Sequence, residues 1–200
     1  MRYRTGHKQQ TCERILQAAG RLFRKQGYAA TGIDAVMSSA QLTAGAFYSH
    51  FQSKEDLLAE TLNAVFRDAT KDRPAELSAL CGHDWLRAFT AFYLSSEHCD
   101  AADRGCPMPA LAAEVARVGG KTCEVFEQHL RRVIEFIAKQ FDELRPDRKR
   151  AISTTALLAG AVLLARAVSD DELSQEILTA CREHATATIN GNPRSVEALE

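Results

Sequence analysis

Residues 31–58 read TGIDAVMSSAQLTAGAFYSHFQSKEDLL, and this stretch decides the fold. A short helix over about 32–39 is followed by a tight turn. A second short helix follows Thr43, whose hydroxyl is placed to cap it, and ends near His50. Ser53 then opens a further helix, where Ser-Lys-Glu-Asp supplies an N-cap and first-turn acids and Leu57, Leu58, Leu62 and Phe66 continue an apolar stripe. Two short helices joined by a tight turn, closed by an aromatic run and a basic helix start, are what a small module needs to push one helix into a DNA groove.

The residues between Thr43 and His50 have the chemistry of an inserted element. Ala44, Gly45 and Ala46 carry almost no side chain, so the helix start can approach a groove floor closely. Phe47 and Phe51 lie four apart and anchor the element to a core formed by Leu22, Phe23, Ile33 and Val36. Tyr48 and His50 are left near the surface, where Tyr48 can donate to a phosphate. Lys54 combines a cation with the open N–H groups of a helix start, an arrangement suited to a second phosphate, and Thr31 is expected to do the same before the helix at 32–39.

Charge follows the same division. Residues 1–54 hold eight Lys and Arg (Arg2, Arg4, Lys8, Arg14, Arg21, Arg24, Lys25 and Lys54) against Glu13 and Asp34, a net of about +6, whereas the whole chain carries −1. A basic head on an acidic body suits a head that meets phosphate. No stretch reads as apolar over the length of a membrane span and the first ten residues lack a signal-peptide core, so a cytoplasmic protein with no membrane partner is expected. The six cysteines, at 12, 81, 99, 106, 123 and 181, show no CxxC pair and no zinc-ribbon spacing. They read as reduced thiols, and no metal or cofactor is expected.

The rest of the chain also reads as helix, giving an all-α fold. A first helix is expected over 11–26, with Gly27 as its stop. Residues 70–83 read as a connection, and Asp84 opens an aromatic-rich helix. Residues 99–107 read as a loop, with Pro107 in the first turn of the next helix. Gly119 and Gly120 precede a long amphipathic helix, and two final helices span about 147–188, the first of them apolar almost all round. The expected domains are a helix-turn-helix head over 1–53, a helical body over 54–190 and a polar tail over 191–200.

Residues 11–58 resemble the N-terminal domain of the TetR family of transcriptional repressors. The family pattern runs close to T-x-x-x-I-A-x-x-A-G-V-S-x-G-x-x-Y-x-H-F-x-S-K-E-x-L, met here by Thr31, Val36, Ala40, Leu42, Thr43, Gly45, Tyr48, His50, Phe51, Ser53, Lys54, Glu55 and Leu57. The resemblance implies a homodimer on a pseudo-palindromic double-stranded operator, a helical ligand-binding body, and release of DNA when a small-molecule effector binds. One departure is Gln41, which stands at the family's turn glycine. A non-glycine residue in a left-handed turn costs about 1 kcal/mol, so either the turn is shaped differently, or it is a tolerated strain, or Gln41 is kept for a contact such as an adenine edge. Ala44 sits where relatives often have a long polar side chain. The base-reading candidates are then Gln41, Thr43, Ser49, His50 and the basic N-terminal arm.

In the body, Trp85, Phe89, Phe92, Tyr93, Met108, Leu111, Phe126, His129 and Leu130 offer material for an effector pocket, with Tyr93, His98 and His129 as polar groups. The resemblance favours a pocket over plain core for the group. The last two helices suit the dimer interface, because Gly160 and several alanines allow close packing. Cys106 stands before Pro107 at a helix start, where the dipole favours thiolate and Arg104 is near. This marks it as a candidate redox or electrophile sensor, with Cys99 as resolving partner. An enzyme using Cys81 with His83 is discounted, since no orienting group or oxyanion element accompanies them.

Overall fold

An apolar stripe of Ile15, Ala18, Ala19 and Phe23 sets the first helix, α1 (Tyr3–Gln26), in a computed structural model that describes residues 3–69, 71 and 73–191. It starts eight residues before the expected Thr11. The Thr11 hydroxyl donates to the His7 carbonyl at 2.8 Å, the back-bond of a threonine inside a helix and not of an N-cap. The segment expected as a basic arm is therefore helical from Tyr3. Arg2, the side chain of Arg4 and tail residues 192–200 lie outside the described residues. Gly27, at φ 85°, ends α1 as expected.

Next come α2 (Ile33–Ser39), a 3-10 helix over Ala44–Ser49, and α3 (Lys54–Asp68). The second short helix is thus 3-10 where an α-helix was expected. The Ala46 N–H reaches the Thr43 carbonyl and the His50 N–H the Phe47 carbonyl, both three residues back. Thr43 is extended and makes no side-chain cap. Ser53 does cap α3, accepting from the Asp56 N–H at 3.1 Å.

After a 3-10 turn over Ala75–Ala79, the chain forms α4 (Gly82–Tyr93), α5 (Ser96–Asp100), α6 (Pro107–Val118), α7 (Gly120–Phe141), α8 (Arg148–Ala167) and α9 (Asp171–Ile189). Every regular element among the described residues is helical, as expected. α4 starts two residues before Asp84. The expected loop at 99–107 is helical at its start, because the Ser95 hydroxyl accepts from the His98 N–H at 3.2 Å and opens a turn that buries Cys99.

Packing forms two compact units. The first holds α1 through α3 together with residues 102–129, and the second holds 73–101 and residues from 130 onward. Packing therefore runs across the boundary drawn after residue 53. In the first unit, Ile15 and Phe23 meet Val36, Met37, Phe47, Phe51, Leu57, Leu58 and Leu62, and α6 closes the core with Leu111 and Val115. Each such side chain contributes about 1.5–3 kcal/mol when fully buried. α1 and α3 touch closely at Gly20, where an added Cβ would lie 2.7 Å from Val65 Cγ1.

In the second unit α8 and α9 run antiparallel. The Arg150 guanidinium at the start of α8 donates to the carbonyls of Thr188 and Ile189 at the end of α9, and the Ser174 hydroxyl donates to Ala165 at the other end. By length and composition α8 could cross a bilayer, at a mean hydropathy of 1.3. This corrects the expectation that no stretch reaches that length. Its leucines, Ile152, Val162 and alanines supply the hydropathy without a fully buried surface, and Ile152, Leu163 and Leu164 remain exposed.

His98 is a buried titratable group of this unit. Its Nδ1 lies 2.6 Å from the Tyr93 carbonyl, and Arg166 donates to the carbonyls of His98 and Cys99 at 3.0 and 2.6 Å. Burial holds the imidazole below its ordinary 6.5, and the Arg166 charge adds to this against the Tyr93 bond. Below that ordinary value the unfolded chain takes up a proton that the folded chain resists. Stability is therefore fully present above about pH 6.5 and falls as pH drops toward the folded value. Urea midpoints at pH 8 and pH 5.5 are expected to show the loss, and His98→Gln should reduce the difference between them.

Candidate nucleic-acid interface

The turn between α2 and the 3-10 helix is closed by two bonds. The Leu42 N–H donates to the Met37 carbonyl and the Gln41 N–H to the Ser38 carbonyl, each at 2.9 Å. This 6→1 and 5→2 pair is a Schellman cap, whose next residue must be left-handed. That residue is Gln41 at φ 57°, the one non-glycine with positive φ among the described residues. The turn is thus not reshaped around Gln41. The residue accepts the glycine conformation and its strain. Arg14 steadies the cap from α1, its Nη2 donating to the Ala40 carbonyl at 2.5 Å. Gln41→Gly is expected to relieve about 1 kcal/mol of strain, less what the freer unfolded chain takes back. A higher midpoint in thermal unfolding would register it, and a lower one would mean that the Gln41 side chain stabilises the turn.

Beyond the turn the predicted residues are well presented. Gln41, Thr43, Ala44, Gly45, Tyr48 and Ser49 are exposed, and Ala46, His50 and Lys54 are half-buried. Tyr48 is 73% exposed and rests edge-on against the buried Phe47 ring at 5.2 Å. Nothing lies within 4 Å of a Cβ built on Gly45, so the fold itself has no need of a missing side chain there. Burial and the Lys8 charge lower the His50 imidazole, leaving it neutral at neutral pH, a single-donor ring and not a cation.

Lys54 is held in place. Its Nζ lies 4.3 Å from the Tyr28 ring centroid and 3.4 Å from the Ala29 carbonyl. Burial, followed by the Glu55 charge and hydrogen bond, pushes the Tyr28 phenol up to about 12. Thr31 departs from expectation. Its side chain is 1% exposed and its hydroxyl donates to the Gly27 carbonyl at 2.7 Å. It closes the end of α1, and its one proton is not available to a phosphate.

Two residues escaped the sequence reading. Arg14 braces the turn from 26 positions away. Lys121, at the start of α7, bonds Asp56 at 2.8 Å and lies 3.5 Å from Glu60. The Lys121 bond holds the Asp56 carboxyl below its usual range, and the cation offsets acids in the first two turns of α3, beside Lys54. The α2 carbonyls, which need donors, were the only hint of Arg14, and nothing local announces Lys121.

The nine predicted pocket residues divide between the units. Leu111 is fully buried in the core of the first, with Met108 and Phe126 packed against it. His129 stacks on Phe66 at 4.6 Å and its Nε2 lies 2.9 Å from Asn63 Oδ1. In the second unit Trp85 stacks on Phe89 at 4.6 Å, Phe89 lies 5.5 Å from Tyr93, and the Phe92 ring lies 5.4 Å from His98. Leu130 is half-buried in the same unit. Cys106 is the half-buried N-cap of α6, and the backbone beside it is pinned by Arg24, which donates to the carbonyls of Arg104 and Gly105 at 3.3 and 3.0 Å. Cys99 is buried, and its thiol is pushed up by burial.

The family model described as bacterial regulatory proteins, tetR family, matches residues 15–61. The HTH-type transcriptional regulator YerO of Bacillus subtilis is 52% identical over 46 residues, 23% of this chain and 16% of YerO. LmrA of the same organism, another HTH-type transcriptional regulator, is 31% identical over 107 residues, 52% of this chain and 56% of LmrA. The chain thus spans about a sixth and just over half of these two relatives. Among solved structures, the reduced form of E. coli NemR superposes with a TM-score of 0.72 at 24% identity, covering 88% of this chain and 95% of that one. That likeness is one of fold. The family match falls on the segment that builds the turn, and the all-helical fold is shared along most of the chain: over residues 15–61 the protein is similar to the tetR family of bacterial regulatory proteins.

Proposed function

We propose that the protein is a cytoplasmic transcriptional repressor that binds a pseudo-palindromic operator as a homodimer and leaves it when a small molecule binds the helical body. The observation that carries this reading is the Schellman-closed turn, which presents the exposed residues from Thr43 to Tyr48 beside the fixed cation of Lys54. Gly45 supports close approach to a groove, because its bareness serves nothing within the fold. The proposed face for the second copy is α8 and α9. Ile152, Leu163 and Leu164 on α8 and Leu173 on α9 are exposed, and a Cβ on Gly160 would meet nothing within 4 Å, leaving room for a partner helix. Pairing would set two heads about one helical turn of DNA apart. The effector is assigned to the aromatic residues of the body, with Trp85, Phe89 and Tyr93 the favoured lining.

Fluorescence anisotropy on a labelled 30-base-pair duplex across a salt series tests the reading. Binding should weaken steeply with salt, and a flat or absent response would sink it. A second reading, a redox-switched repressor, is favoured by Cys106 at the α6 start beside backbone that Arg24 ties to α1. NemR, solved in a reduced form, shares the fold. Peroxide should then release DNA from the wild type and not from Cys106→Ser.

A further inference from the structure

A recess of about 230 Å3 lies against the turn, lined by Arg14, Gln17, Arg21, Ser39, Ala40 and Gln41. Positions 14, 17 and 21 recur at helical spacing and share one face of α1. The lining holds two guanidinium groups, two carboxamides and a hydroxyl, and no carboxylate. Arg14 is fixed there by its bond to the Ala40 carbonyl, which engages one of its five N–H donors. The neighbouring acid, Glu13, accepts from Gln9 at 3.1 Å. Two cations facing one recess repel each other unless an anion joins them, and guanidinium groups match the oxygens of a phosphate.

We infer that this recess binds a phosphate of the DNA backbone, a contact separate from the one at Lys54. The inference rests on the DNA-binding reading above. Arg14 then has two tasks: it holds the turn that keeps Gln41 left-handed, and it presents its other N–H groups to the phosphate beside that turn. Arg21 supplies the second charge. Because it braces no part of the turn, it is the cleaner residue to replace.

The test measures binding of wild type, Arg21→Gln, Arg21→Lys and Lys139→Gln to a random-sequence 30-base-pair duplex over a salt series. Lys139 is an exposed cation of the second unit and controls for a general loss of charge. Arg21→Gln is expected to weaken binding about five- to tenfold at 0.1 M salt and to lower the log–log salt slope by about 0.9, the value of one phosphate contact. Arg21→Lys should keep the slope, and Lys139→Gln should change neither quantity. An unchanged slope in Arg21→Gln, or an equal fall in Lys139→Gln, overturns the inference while the wild type's own salt response leaves the DNA-binding reading standing. A wild type without salt-dependent binding overturns both.

Discussion

Phe47→Ala is expected to lower the stability of the head by about 3–5 kcal/mol, the usual cost of deleting a fully buried phenyl ring, and to abolish duplex binding. Phe47 is 0% exposed, with the rings of Tyr48 and Phe51 at 5.2 and 5.6 Å. It is the one fully buried residue of the Ala44–Ser49 element, so the element is tied to Val36, Met37 and Leu58 largely through this side chain. Six residues of 3-10 helix have little stability of their own. A cavity beneath them would release Tyr48 and Ser49 together. A domain of ordinary stability has about 5–15 kcal/mol to lose, so the melting transition followed by circular dichroism should fall well below that of the wild type. Phe47→Leu keeps most of the volume and is expected to cost less than about 1.5 kcal/mol with binding largely retained. If Phe47→Ala melted where the wild type does, the element would have another anchor.

What could be read from sequence followed the range of the interaction. Helical spacing located α3 and α7, Gly27 marked the end of α1, and Phe47 and Phe51 were recognisable as anchors, because each of these signals is local and repeats with the helix. Gln41 could be flagged as strained, since the family pattern put a glycine at its position. Whether the turn bent around it depended on the Met37 and Ser38 carbonyls and on Arg14 reaching across from α1. Thr31 departs from expectation for a related reason. A threonine ahead of a helix looks like a donor to a ligand, yet the carbonyl of Gly27, left open by the end of α1, takes its proton. The sequence makes Thr11 look like a helix start, and it lies in the interior, since a hydroxyl bonded four residues back leaves no trace in the sequence. Leu111 is expected in a pocket on its apolar character and on the family resemblance, and only the packing of α6 against α1 and α3 shows it as core.

Tyr48→Ala combined with Lys54→Gln is expected to weaken duplex binding about a hundredfold while leaving the fold in place. Each side chain is assigned one phosphate contact, and losing about 1.4 kcal/mol at each gives a factor of ten apiece. The cost in stability should be small. Tyr48 is largely in solvent, where substitutions change stability by about 0.5 kcal/mol or less. Lys54 gives up its position over the Tyr28 ring, a contact of about 0.5–1 kcal/mol. The two variants also separate by salt. Lys54→Gln removes a cation and should lower the log–log slope by about 0.9, whereas Tyr48→Ala removes a neutral donor and should leave the slope unchanged. Phe47→Ala cannot distinguish a residue that touches DNA from one that supports those that do, because it disturbs both. This pair can: a hundredfold loss with an unchanged melting curve places the contact at Tyr48 and Lys54, and a loss below threefold would move the interface away from the 43–54 segment.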